Sequence, residues 1–399
     1  MRMNSKRLIL LTNTWPFDSG ETFIDNEAGY LSEAFESVEV FPLYHDGTQR
    51  RSVPSNFHVH KPSLKKNPKE KFPLLVSGIF STAPLFFAIK ELFSDKCLTG
   101  KKLWNLCTGT LTFRASYPTL KRFGLTNNDV LYSYWGDKWS ASLSFVKEIS
   151  GCKCVARFHG TDLFEEVKGY IPFRKALFNS LDAAFPISDA GAKYIKERYN
   201  YNGYVKVARL GVPKAVANPP SDGSCFKIVS CSNVIPLKRL DLIANALPLL
   251  DFPIKWTHIG DGVMLTSIME LCRNFPSHIS VDFKGRLSNS DVRKLYATEH
   301  FDIFLNVSSS EGLPVSIMEA FSQGIPALAT NVGGTSEIVD STVGGLLPAC
   351  ITPENLALAI REIRDNYTNT IRENALERWS SMCDASINYK AFSKALLSV

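Results

Sequence analysis

No stretch at the start of the chain is apolar enough to direct export. MRMNSKRLILLTNTWPF holds only four uninterrupted apolar residues, Leu8 to Leu11, short of the roughly 7–15 of a signal-peptide core. The expectation is a cytoplasmic location, with the inner face of the cell membrane as a further candidate place. Without an export signal, the glycosylation sequons at Asn306-Val307-Ser308 and Asn366-Tyr367-Thr368 carry no weight. Nine cysteines are present (97, 107, 152, 154, 225, 231, 272, 350 and 383), but no CxxC pair or Cys/His array has zinc spacing. Cys152 and Cys154 form a lone CxC inside the apolar stretch CKCVARF, so reduced core thiols are expected. Neither half offers GxGxxG after a strand with an acid about 20 residues on, which argues against a Rossmann dehydrogenase.

Hydrophobic residues make up 45% and charged residues 21%, which excludes a disordered chain and permits a sizeable core. A length of 399 residues exceeds the roughly 100–200 of one domain and argues for two. The net charge of +6 favours anionic ligands or an anionic surface without singling out nucleic acid, and no nucleic-acid partner is expected.

Short β-rich runs alternate with longer amphipathic ones throughout, the pattern of βαβ units and parallel sheets. In the first half, strands are expected near 8–12, 38–42, 130–134, 154–158, 183–186 and 205–209. In the second, strands near 227–231, 254–259, 281–284, 303–306, 327–330 and 345–347 alternate with helices near 240–249, 265–274, 291–297, 314–323 and 354–367. The reading is an amino-terminal domain at 1–210, a Pro/Gly/Asn/Ser-rich linker at 211–224 and a second doubly wound domain at 225–385. An insert at about 60–93 interrupts the alternation. It carries Lys61, Lys65, Lys66, Lys69 and Lys71, followed by an uncharged, largely apolar stretch at 72–89. Pro73 and Pro84 break the pattern of a membrane span. A solvated loop leading into a buried helix and a membrane-touching surface both remain open.

The most informative stretch is SSSEGLPVSIMEAFSQGIPALATNVGGTSEIV at 308–339, which follows the strand FDIFLNV. It therefore sits at the carboxyl end of a parallel strand, where open α/β sheets bind ligands. Pro314 suits the first position of a helix, leaving Glu311, Gly312 and Leu313 on the loop at that helix's positive end. Glu319 is the only charged side chain in 314–323. Either it lies on a solvent stripe beside Ser322 and Gln323, or it is a buried carboxylate needing hydrogen-bond donors. Lys238, after VSCSN, offers a cation for charge developing on a leaving phosphate. Gly20, in SGET after the first strand, lets backbone approach a phosphate or acceptor. His159, after VARF, is an uncharged donor or proton carrier. Asp162 either caps the next helix, holds the loop or takes part in catalysis.

Glu311 and Glu319, with EAFSQGIPALATNVGGTSEIV, closely resemble the paired-glutamate signature of family-4 glycosyltransferases. FDSGETFIDNE (17–27) looks like the first strand-to-helix loop of members that elongate bacterial surface polysaccharides. VARFHGTDLFEE (155–166) resembles the family's His-Gly-x-Asp segment, and SNVIPLKRLD (232–241) its phosphate loop; GDG (260–262) and FKGRLS (283–288) follow in the expected order. The resemblance implies the α/β GT-B architecture: two Rossmann-like doubly wound domains facing across a cleft. The nucleotide would be held mainly by the second domain, and a final helix at 386–399 would pack back on the first. It also implies a retaining transferase moving sugar from a UDP- or GDP-sugar to a glycan or lipid-linked glycan, with peripheral membrane contact. Glu311 would bond donor-sugar hydroxyls, Glu319 the ribose, and His159 the donor sugar, while Arg286 and Leu287 would lie near the base. Asn233 stands where the family commonly has Arg, which leaves Lys238 and, if its side chain turns inward, Arg239 for the diphosphate. No Asp-x-Asp motif appears, so neither metal nor cofactor is expected. A sugar-nucleotide epimerase of the same fold and an inactive sugar-nucleotide-binding homologue are the alternatives.

Overall fold

The computed structural model describes residues 6–17, 20–45, 51–62, 64, 65, 89, 91, 93, 100–221 and 223–399. Lys66, Lys69, Lys71 and the apolar stretch 72–88 lie outside the described residues. The chain divides into two compact units: Met1–Ala208 with Tyr389–Val399, and Arg209–Asn388.

The first unit contains β1 (Arg7–Thr12), β2 (Ser37–Pro42), β3 (Tyr44–His45), β4 (Phe57–Val59), β5 (Leu64–Lys65), β6 (Val130–Ser133), β7 (Lys153–Phe158), β8 (Ala183–Pro186) and β9 (Tyr204–Val205). Seven of these form one sheet in the order β4-β2-β1-β6-β7-β8-β9, every pair parallel. Helices on both faces of a parallel sheet leave its central strands no wet side. Leu8, Ile9, Leu10 and Leu11 of β1 are accordingly buried without alternation. One face meets the helix Phe23–Ala34 and, from the other end of the chain, Phe392, Ala395 and Leu396 of the helix Ala385–Ser398. A 24-residue helix, Gly100–Phe123, absent from the sequence reading, contributes Leu106, Phe113, Tyr117 and Leu120 to the opposite core.

The second unit repeats the plan with β10 (Phe226–Cys231), β11 (Ile254–Ile259), β12 (Ile279–Gly285), β13 (Ile303–Asn306), β14 (Ala327–Thr330) and β15 (Gly344–Leu347). Its order is β12-β11-β10-β13-β14-β15, again all parallel. In both sheets the chain reverses direction across the sheet beside the first strand, between β1 and β6 and between β10 and β13. Such a switch point opens a crevice at the carboxyl ends of the two strands.

One expectation needs correction. The strand expected at 205–209 shortens to Tyr204–Val205, although the amides of Lys206 and Ala208 still donate to Ala184 and Pro186. The 211–224 segment is bonded into the second unit. The Val212 amide donates to Cys383, and the buried Asn218 exchanges hydrogen bonds with Gln323, Glu299, Phe301 and Arg372.

Candidate functional site

The second unit's switch point is lined by two loops. After β10, residues 232–239 close with a single turn of tight helix, Pro236–Lys238. After β13, residues 307–314 lead into the helix Val315–Phe321. The Ser309 amide donates to the Leu237 carbonyl at 2.9 Å, joining the loops. Across that junction Lys238 Nζ donates to Glu311 Oε1 at 2.6 Å, and the two side chains are only 20% and 12% exposed. Asn306, the last residue of β13, donates from Nδ2 to the same oxygen at 3.1 Å and accepts the Ser308 amide at 3.1 Å. Two residues read as catalytic, 73 positions apart, thus share one centre.

Arg239 occupies the left-handed region (φ 49°) and donates to the carbonyls of Val307 (2.7 Å), Ala349 (2.8 Å) and Ser308 (3.2 Å). These bonds hold its guanidinium against the segments that follow β13 and β15. Arg286 is exposed and donates to Asn233 Oδ1 at 3.3 Å, so both flank the loop after β10; Leu287 beside it is half-buried. Pro314 holds the cap position with an extended ψ of 103°, so the helix starts at Val315, one residue later than expected, and Leu313 is buried.

Glu319 does not lie on a solvent stripe. It is 7% exposed, and its supposed stripe partners Ser322 and Gln323 are 1% exposed each. No described residue donates a hydrogen bond to its carboxylate. Burial pushes its carboxyl up to about 7, against an opposing pull from Arg293. Desolvation and the Glu319 charge in turn push the Cys231 thiol, at the end of β10, up to about 12. A buried carboxylate without donors carries an uncompensated desolvation cost.

Two glycines without assigned roles in the sequence reading shape these loops. Gly333 has φ +56°, and a Cβ there would lie 1.8 Å from the Glu311 carbonyl oxygen, while the next amide, Gly334, donates to Gly312 at 2.7 Å. Gly260 plays the same part against the loop after β10, its added Cβ falling 1.8 Å from the Ser232 carbonyl. The adjacent glycines of NVGG and the GDG triplet were the available signals.

In the first unit, the loop after β1 gathers around Glu21, a residue the sequence reading did not single out. Its carboxylate accepts the consecutive amides of Asn13 (3.0 Å), Thr14 (2.7 Å) and Trp15 (2.7 Å), and the Trp135 indole N–H at 2.5 Å. Gly20 is exposed, and a Cβ there would meet only Thr14 Oγ1 at 3.9 Å, so no close approach demands glycine. His159 is 6% exposed, with ring centroids of Trp135, Tyr134 and Phe23 at 4.3, 5.2 and 6.0 Å. Neither of its ring nitrogens has a hydrogen-bond partner. Asp162, 1% exposed, accepts the backbone N–H groups of His159 (2.6 Å) and Gly136 (2.5 Å). Of its readings, capping and loop-holding are therefore the ones the geometry supports.

Residues 214–379 match the model of the family described as glycosyl transferases group 1. That match lies within the carboxyl-terminal unit, Arg209–Asn388. The chain is 28% identical over 257 residues to an uncharacterized glycosyltransferase of Methanocaldococcus jannaschii, covering 62% of this chain and 70% of that protein. It is 25% identical over 368 residues, 86% of each chain, to WcaL of Salmonella typhimurium, whose assignment as a colanic acid biosynthesis glycosyltransferase is itself provisional. Among solved structures, Anabaena HepE in complex with UDP and glucose superimposes with a TM-score of 0.67 at 16% identity, covering 99% of this chain and all of that one. That likeness shows the fold, two Rossmann-like domains in one chain as in the GT-B glycosyltransferases.

Proposed function

We propose that this group 1 glycosyltransferase moves a sugar from a UDP- or GDP-sugar to a glycan or lipid-linked glycan, with retention, without metal, in polysaccharide biosynthesis. The observation that carries it is the meeting of Lys238, Asn306 and Glu311 at the switch point of the second sheet. Breaking the bond from sugar C1 to the diphosphate develops negative charge on the leaving oxygen, which the Lys238 ammonium stabilises more in the transition state than in the ground state. Glu311 accepts hydroxyls of the donor sugar, and Glu319 the two ribose hydroxyls. The acceptor oxygen bonds to C1 on the face the phosphate leaves, and its proton passes to that phosphate. His159, whose ring nitrogens have no hydrogen-bond partner, donates to the donor sugar. The similarity to WcaL, named for colanic acid biosynthesis, and to HepE, whose structure holds UDP and glucose, supports the class of donor and product. The match of Glu311 and Glu319 to the paired-glutamate signature supports family 4 and retention.

A thermal-shift screen against UDP- and GDP-sugars tests the reading, because a ligand that binds only the folded state raises its stability. Nucleotide affinity also carries a pH signature. Glu319 titrates near 7, well above an ordinary glutamate, so below that pH it is protonated and is a poorer acceptor for ribose hydroxyls. Affinity for the nucleoside diphosphate should therefore rise about tenfold from about pH 6 to about pH 8 in calorimetry. In Glu319→Gln that dependence should vanish together with much of the affinity; an unchanged profile removes Glu319 from the site.

The enzyme meets its acceptor at an anionic membrane surface in this reading. Phe93, at the end of the insert, and Trp104, after it, are 78% and 69% exposed, and Lys101 between them in sequence is exposed; each cation near such a surface contributes about 1 kcal/mol. No helix among the described residues is long and apolar enough to cross a membrane. Co-sedimentation with anionic liposomes at low salt, lost at high salt, is expected; failure to sediment at low salt removes the membrane contact.

A further inference from the structure

The ion pair between Lys238 and Glu311 has a consequence for what the site accepts. Lys238 Nζ lies 2.6 Å from Glu311 Oε1, and that oxygen's other donor is the Asn306 amide. With side chains only 20% and 12% exposed, neither charge is well compensated by water once the pair parts. We propose that this pair makes the site select an intact nucleotide sugar over the nucleoside diphosphate that the reaction leaves behind, an inference resting on the glycosyltransferase reading.

A phosphate that draws Lys238 competes directly with Glu311. A nucleoside diphosphate supplies the anion for Lys238 but nothing for Glu311, whose carboxylate is then held by Asn306 alone. A nucleotide sugar supplies both halves of an exchange: phosphate oxygens take the ammonium, and sugar hydroxyls donate to the carboxylate. Only the second ligand replaces every charge-assisted bond it breaks. The exchange also runs backward after transfer. Once the sugar leaves with the acceptor, Glu311 loses its hydroxyl donors and draws Lys238 away from the diphosphate, favouring release of that product.

The test is calorimetry on the full chain with UDP, UDP-glucose, GDP and GDP-mannose, comparing wild type with Glu311→Gln, which preserves side-chain shape. Wild type should bind one nucleotide sugar at least about tenfold more tightly than its nucleoside diphosphate, the size of a single charge-assisted bond. In Glu311→Gln, affinity for that nucleoside diphosphate should rise about tenfold, because Lys238 no longer has a competing carboxylate. Removing a negative charge could by itself favour an anion, so the gain must be shown to pass through Lys238. In a double-mutant cycle, Glu311→Gln made in a Lys238→Met background should therefore give no such gain. A gain that persists in Lys238→Met, or unchanged or weaker diphosphate binding in Glu311→Gln, overturns the proposal while leaving the transferase reading intact. If wild type binds none of the four ligands, the transferase reading fails and the inference with it. Unfolding midpoints of each variant, measured alongside, identify a loss of binding that comes from misfolding.

Discussion

Lys238→Ala is expected to lower transferase turnover about 100- to 1,000-fold, the loss typical when one preorganised group facing developing negative charge is removed. Donor affinity should change much less, since charge on the leaving phosphate grows mainly toward the transition state. Lys238 is well placed for this because Pro236–Lys238 forms a tight turn that is hydrogen-bonded to the neighbouring loop through Leu237 and Ser309. The backbone that carries Lys238 is therefore fixed, and its ammonium is held by Glu311. Steady-state kinetics on a nucleotide-sugar donor separate the two effects, and a pure rise in KM with unchanged kcat would contradict the assigned role.

The second large effect is on stability. Glu27 and Arg157 form an ion pair at 2.5 Å whose side chains are both fully buried. Arg157 also donates to the Ala208 carbonyl at 2.7 Å and lies 4.4 Å from the ring centroid of Phe392, on the carboxyl-terminal helix. Burial raises the Glu27 carboxyl above its ordinary range even though Arg157 and Tyr132 pull it down. That balance marks a pair whose members each depend on the other. Arg157→Ala or Glu27→Ala should each destabilise the first unit by about 3–5 kcal/mol, the cost of leaving one buried charge uncompensated. Glu27→Leu combined with Arg157→Met removes both charges and should cost less than either single alanine change. Denaturant unfolding checks this order, and single alanine variants as stable as wild type would refute it.

The parallel strands were legible in sequence because burial on both faces writes them as continuous apolar runs, LILL in β1 and IFL in β13 among them. The three-residue edge strand β4, FHV, is too short for any period to show. The helix Gly100–Phe123 escaped for another reason. Gly109, Pro118 and interspersed Thr and Ser weaken its pattern, yet Leu106, Phe113, Tyr117 and Leu120 fall at spacings of seven, four and three and are all buried. Helical spacing of a few large apolar residues was enough once neighbouring elements covered that face.

Lys238 and Glu311 drew attention because they follow parallel strands, at whose carboxyl ends ligands bind, and Glu319 because it is the one charge in the apolar helix Val315–Phe321. Local sequence does not tell where a long side chain turns, and Arg239 turned to the carbonyls of Val307, Ser308 and Ala349. The demand for glycine at 333 arises from the Glu311 carbonyl 22 residues earlier, a contact that exists only after β13 and β14 pair. Glu21 was hidden likewise, since three consecutive amides converge on it only when the loop after β1 folds back.

The most direct measurement is release of free nucleotide from a panel of UDP- and GDP-sugars by the purified full chain without acceptor, beside Lys238→Ala. One donor should be hydrolysed slowly by the wild type, since water can stand in for the acceptor, and that rate should fall at least about 100-fold in the variant. If no donor on the panel is cleaved by a folded wild-type protein, or if Lys238→Ala cleaves as fast, the centre formed by Lys238, Asn306 and Glu311 is not the site of transfer.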